Sequence, residues 1–180
     1  MSKSIRIMME SSFDAVTVKR VYLIILLLVP GAGTLLYLFV WGWAAFWADL
    51  QQEMVLILFL ASIPVHESLH YCGFVFLHGV ERKYVNFRFN RENMTPYVVC
   101  RVNTSVIRYK VAAILPFVTL GVSPTIYGLF LDNSTVFVVG LLNIVVCAGD
   151  LILYFLLLRL NNHSIVSRHT QRIGFVVVGS

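Results

Sequence analysis

Four apolar runs, each long enough to cross the hydrocarbon layer of a membrane, constrain this chain more than any other feature. They fall at about residues 21–46, 54–78, 109–131 and 135–158. At the helical rise of 1.5 Å per residue, about 20 residues cover a layer of roughly 30 Å. The chain is 58% hydrophobic and only 13% charged, whereas a soluble domain is about a quarter charged, so the runs are not the buried elements of a soluble core. The expected fold is an all-α membrane protein of four transmembrane helices forming a single domain over residues 1–180. The run that follows Lys19 and Arg20 exceeds a signal-peptide core and lacks a small-residue cleavage pattern after it, so it is read as the first span.

Charge sets the expected topology. Lys3, Arg6, Lys19 and Arg20 precede the first run. Arg82, Lys83, Arg88, Arg91, Arg101, Arg108 and Lys110 lie between or beside the second and third, and Arg159, Arg168 and Arg172 follow the fourth. These are all 14 basic residues, and the two opposite connections carry only the acids Asp49, Glu53 and Asp132. By the positive-inside rule both termini and the middle connection are expected to be cytoplasmic. The net charge of +5 thus belongs to topology, and no nucleic-acid partner is expected. Cys72, Cys100 and Cys147 are an odd number and two lie in apolar runs, which argues against a disulfide framework.

The middle connection alternates Val85, Phe87 and Phe89 with Asn86, Arg88 and Asn90, and a β-rich run follows from Tyr97 to Val102. This predicts a short β-hairpin turning near Arg91 to Pro96. The segment Ile173 to Val178 is too short to span and rich in β-branched residues, so it is expected to form a C-terminal strand that could join that hairpin. Pro30, Pro64, Pro116 and Pro124 all fall inside spans, where kinks or local breaks are expected.

The chemistry concentrates in the second run, at His66-Glu67-Ser68-Leu69-His70. On a helix, residues four apart share a face with Cβ atoms roughly 5–6 Å from each other, so His66 and His70 could grip one zinc ion. In such a motif the intervening carboxylate, here Glu67, acts as general base on metal-bound water. Random placement of five histidines and five glutamates in this length gives on the order of 0.004 such motifs per chain, so coincidence is a poor explanation. Ionisable groups within a span also need a compensating partner, because each costs at least a few kcal/mol to insert.

A third ligand is sought in another span. Asn143, Cys147, Asp150 and Tyr154 lie at steps of 4, 3 and 4, one polar face of a helix in the fourth run. Asn143 and Tyr154 are read as interhelical hydrogen-bonding residues, and Asp150, an intramembrane acid, is preferred over Cys147 as the ligand. Counting inward, His66 lies roughly 20 Å and Asp150 roughly 24 Å along their spans, within a helical turn of each other. His78, His163 and His169 lie at or beyond span ends and read as interfacial or tail residues, while Trp41, Trp43 and Trp47, with Tyr71 and Tyr84, fit interfacial anchoring.

The pattern resembles the small zincin-type peptidases of prokaryotic membranes, which are similar to site-2 intramembrane proteases. The resemblance covers most of the chain. It rests on His66-Glu67-Ser68-Leu69-His70, the basic β-rich insertion, Leu115-Pro116-Phe117, Gly149-Asp150-Leu151 and the tail around Ile173-Gly174-Phe175. Site-2 proteases carry their ligand aspartate in an Asn…Leu-Asp-Gly motif with a proline. Here Asn143 precedes Asp150 without an intervening proline, and Leu151 follows it. The resemblance implies zinc on His66, His70 and Asp150, Glu67 as catalytic base, and a hairpin near the site that could hold an extended substrate. The leading expectation is therefore an HExxH zinc metalloendopeptidase acting on membrane-associated proteins or peptides, in contact with the lipid bilayer. The alternatives are an intramembrane metal-binding or transport protein, or an inactive protease-like scaffold.

Overall fold

The computed structural model describes residues 9–13, 15–77, 79–90, 95–168 and 173–179. After a strand β1 (Met9–Phe13), helix α1 runs from Ala15 to Asp49. Helix α2 (Gln52–Cys72) continues into a π-helical turn over Gly73–Leu77. Strands β2 (Val85–Asn90), β3 (Thr95–Cys100) and β4 (Thr104–Ser105) follow. Helix α3 (Val106–Pro116) passes through a π-helical segment, Phe117–Val122, into α4 (Ser123–Phe130). Helices α5 (Ser134–Val146) and α6 (Ala148–Leu158) precede strands β5 (Ile165–Arg168) and β6 (Ile173–Gly179).

Three helices are long and apolar enough to cross a membrane: Val16–Asp49, Gln52–Leu77 and Val106–Phe130. The pair α5 and α6, bent by 53° at the break between them, makes a fourth candidate when counted as one span. The protein is thus a multi-spanning helical bundle with a small antiparallel hairpin between α2 and α3. Its helices are inverted relative to those of a soluble protein. Leu56, Ile57, Leu60 and Val65 of α2 are exposed, whereas Ser62, His66 and His70 are its buried residues. Lipid is as apolar as leucine, so apolar side chains gain nothing by turning inward, and the polar stripe turns to the protein instead.

The helix interruptions depart from the proline-based expectation. Pro30 and Pro64 sit inside α1 and α2, and the break in α1 is at Gly42, whose φ of 85° is open to glycine without a Cβ clash. Pro116 does mark a change, because the π-helical segment begins at the next residue. The 53° bend at Cys147 has no proline beside it.

Strands β2 and β3 pair antiparallel with Phe87 opposite Val98, as the alternation predicts; residues 91–94 of the expected turn lie outside the described residues. The C-terminal strand forms, but its expected union with the hairpin is corrected. Strand β6 pairs with β1 and β5 in a separate sheet of order β1-β6-β5-β4. That sheet gathers the segment before α1, the connection before α3 and the segment after α6. The three therefore lie at one end of the bundle. The same end is tied by Lys110 Nζ, which donates to Asn162 Oδ1 at 2.7 Å.

Candidate metal centre

The buried stripe of α2 repeats every four residues, so Ser62, His66 and His70 stack along one face towards the bent span. Ser62 Oγ lies 2.8 Å from Asn143 Oδ1, which fixes α2 against α5 one turn before the histidines. Asn143 thus takes the interhelical role expected of it. His70 Nδ1 lies 2.8 Å from the Ala112 carbonyl and donates to it, since a carbonyl can only accept. That bond fixes the tautomer and leaves Nε2 as an unprotonated donor for a cation. The contact requires α2 and α3 to touch closely. Gly73 allows it, because a Cβ there would meet Ala112 Cα at 2.8 Å.

The bend at Cys147 supplies the other side. Cys147 is fully buried, and its N–H still bonds back to Asn143 O while its carbonyl accepts from Leu151 N–H. The break sets Asp150 in the first turn of α6, where the helix dipole favours a carboxylate. Asp150 Oδ2 lies 3.1 Å from His66 Nε2, and Oδ1 lies 3.4 Å from His70 Nε2. The two histidine Nε2 atoms are 3.1 Å apart. Cys147 Sγ approaches the other nitrogen of His66, Nδ1, at 3.7 Å. His66, Cys147 and Asp150 form a group whose ligand atoms all lie within 4.8 Å of one another. His163 is exposed after the last span, and His78 and His169 lie outside the described residues.

These separations fit a bound divalent ion. With metal–nitrogen and metal–oxygen bonds of about 2.1 Å, tetrahedral donors lie about 3.3 Å apart, and a thiolate and an imidazole about 3.5 Å apart. The spacings of 3.1–3.4 Å among His66 Nε2, His70 Nε2 and Asp150 lie near the first value, and the 3.7 Å from Cys147 Sγ to His66 Nδ1 lies near the second. The cluster can chelate a divalent metal ion with a nitrogen, a sulfur and an oxygen donor.

Glu67 follows His66 in the chain and reaches the hairpin. Its Oε2 accepts a 2.8 Å hydrogen bond from the Val98 N–H on the outer edge of β3. Two cavities flank this bond. One, of about 440 Å³, includes Tyr22, Ile63, Pro96 and Val146 in its wall; the other, of about 100 Å³, includes His70, Tyr97, Tyr109 and Leu153. Glu67 and Asp150 line both. The hairpin does lie beside the site, and the Tyr71 ring stacks on Phe87 at 5.2 Å to secure it.

The endopeptidase expectation is corrected by this arrangement. The metal-capable cluster is His66, Cys147 and Asp150, a mixed set with one histidine and a thiol, not the two-histidine set with a water-activating glutamate that an HExxH hydrolase uses. A buried cysteine among the donors is the habit of structural metal sites. Glu67 Oε2 accepts from a backbone donor, the Val98 N–H. The reading of the chain as a zinc metalloendopeptidase with Glu67 as general base is therefore withdrawn. Sequence reasoning named Cys147 but ranked it second. Its placement depends on the 53° bend, which no proline marks.

No curated protein and no solved structure matches the chain. One family model does match, over residues 59–165, a stretch that holds α2 from Phe59 onward, the hairpin, the π-helical segment and the whole bent span. That is more than half of the chain, and the chain belongs to the family described as "Putative zincin peptidase".

Proposed function

We propose that this protein is an intramembrane metal-binding protein, in which a divalent ion joins α2 to the bent fourth span. The observation that carries this reading is the convergence of His66 with Cys147 and Asp150 inside the bundle. An imidazole gives one nitrogen to an ion. His66 and Asp150 are common to two overlapping donor sets: Cys147 completes the one on the Nδ1 side, and His70 the one on the Nε2 side. Nitrogen, sulfur and oxygen together suit zinc, with its tolerance of mixed tetrahedral coordination. When bound, zinc supplies charge that offsets the intramembrane carboxylate and ties two helices that have no hydrophobic reason to associate. The protein's own residues hold the donors ready, through the Ala112 carbonyl on His70 and the first turn of α6 under Asp150.

Family membership supports an inherited metal site and does not by itself specify chemistry at it. The shared sheet of β1, β4, β5 and β6, with the basic residues of those segments, supports placing both termini in the cytoplasm. The test is metal analysis of the purified full-length protein. About one zinc per chain is expected, lost in His66→Ala and Asp150→Asn, with a lowered melting temperature on chelation. Wild-type protein that contains no divalent metal and melts identically with and without chelator would overturn the proposal.

A further inference from the structure

The two cavities that flank the metal centre differ in chemistry. The smaller, about 100 Å³, lies between the hairpin and the start of α3: its wall includes Tyr97 and Val98 of β3 and Tyr109 of the first turn of α3, with His70 and Asp150 at the centre itself. It has room for several waters, each of which takes about 30 Å³ in the liquid. The larger, about 440 Å³, has Tyr22, Phe59, Ile63, Pro96 and Val146 in its wall, beside His66. Taking an ion out of water is costly unless polar donors replace its hydration, so the smaller cavity suits a cation and the more apolar one does not.

Glu67 stands where the small cavity meets the centre. It lines both cavities together with Asp150, yet it is not one of the group His66, Cys147 and Asp150 that can chelate an ion. The Val98 N–H holds its Oε2 at 2.8 Å, which places the carboxylate at the hairpin edge. Asp150 lies further in, with Oδ1 3.4 Å from His70 Nε2 and Oδ2 3.1 Å from His66 Nε2. His66 then presents its other nitrogen to Cys147 Sγ at 3.7 Å. Donors thus form a series that leads from the hairpin edge to the bend in the fourth span.

Resting on the reading of His66, Cys147 and Asp150 as a metal centre, we propose that Glu67 is the entry ligand of that centre. A divalent ion comes in by the small cavity under the hairpin, and the Glu67 carboxylate takes it from water and passes it to Asp150 and His70. A carboxylate at the mouth of a low-dielectric passage attracts cations and replaces part of their lost hydration. It speeds passage in both directions without being a resident ligand. The role is kinetic, and it gives this intramembrane acid a function that needs no hydrolysis.

Zinc exchange on the purified full-length protein in detergent tests this. Uptake by metal-free protein is followed with a fluorescent zinc indicator, release with an excess of chromophoric chelator, and zinc content is measured at saturation. In Glu67→Gln, uptake and release are both expected to be at least about tenfold slower than in wild type, with the zinc content at saturation unchanged. Loss of a mere neighbouring charge would instead slow uptake and hasten release. A second pair of variants decides the route should Glu67→Gln fail to fold. Ala113→Leu, in the wall of the small cavity, is expected to slow both rates, and Ile63→Phe, in the wall of the large one, to leave them at wild-type values. Unchanged rates or faster release in Glu67→Gln, or slowing by Ile63→Phe and not by Ala113→Leu, would overturn the entry route while the metal centre stands on its zinc content. Wild-type protein that takes up no zinc would overturn both.

Discussion

The backbone N–H of Val98 donates to Oε2 of Glu67 at 2.8 Å, which ties the outer edge of the hairpin to the helix that carries His66. The bond lies outside the β2–β3 ladder, since Val98 is an outward-facing position of the edge strand. Two residues earlier on the same edge, Pro96 has no N–H to offer. The edge that could have accepted a further strand is thus closed at one position and capped at the next.

Val98→Pro removes the donor at a position where the ladder does not need it. We expect a loss of about 1.5–3 kcal/mol, the usual worth of a hydrogen bond to a charged group, with hydrogen exchange rising throughout β3. Glu67→Gln keeps an acceptor and is expected to lose less than Val98→Pro. Equal protection of β3 in wild type and Val98→Pro would show that the bond does not hold the hairpin.

Removing single donors separates the roles at the metal centre. His66→Ala and Asp150→Asn, common to both donor sets, are expected to abolish zinc retention. Cys147→Ser and His70→Ala should each weaken it by about tenfold or more, since a neighbouring donor remains. Competition with a chromophoric chelator measures this. If Cys147→Ser binds as tightly as wild type, the thiol is not a ligand.

Metal affinity should fall on acidification. Zinc binds the unprotonated imidazole and the thiolate, so protons compete and are released on binding. Isothermal titration in buffers of different ionisation enthalpy should show proton release near neutral pH and weaker binding as pH drops. Affinity independent of pH would place the ion on carboxylates alone.

Gly73→Ala tests how closely α2 and α3 must approach. The new Cβ would lie 2.8 Å from the Ala112 backbone, which cannot yield as a flexible side-chain end would. Destabilisation of about 1–3 kcal/mol is expected from overpacking, with weakened zinc retention because the Ala112 carbonyl moves from His70. A melting temperature unchanged in this variant would show that the helices separate without cost.

Cys100 lies on the hairpin, outside the spans, and its thiol is 3.6 Å from the Val102 carbonyl. Burial raises its pKa above the ordinary thiol value, against a smaller lowering from that carbonyl contact. It should therefore be alkylated more slowly than a free thiol at neutral pH, with the rate rising as pH increases into the alkaline range. Mass spectrometry of alkylated peptides reads this directly, and labelling as fast as that of free cysteine at pH 7 would contradict the burial of the thiol.

By itself the sequence determined what depends on local spacing and on solvent. Long apolar runs fixed the crossings, basic residues grouped the segments that meet in one sheet, alternation marked β2 and β3, and the interval from His66 to His70 put two imidazoles on one helical face. Only the tertiary structure decided the rest, because the remaining partners are distant in the chain or are backbone atoms with no residue signature. The bend at Cys147 lacks a proline, so the thiol's approach to His66 could not be read from composition. Glu67 is held by a main-chain N–H, and any residue but proline at position 98 would supply one. Strand β6 could have paired with any open edge, and the choice of β1 and β5 over the hairpin follows from the helices having brought those segments to the same end of the bundle.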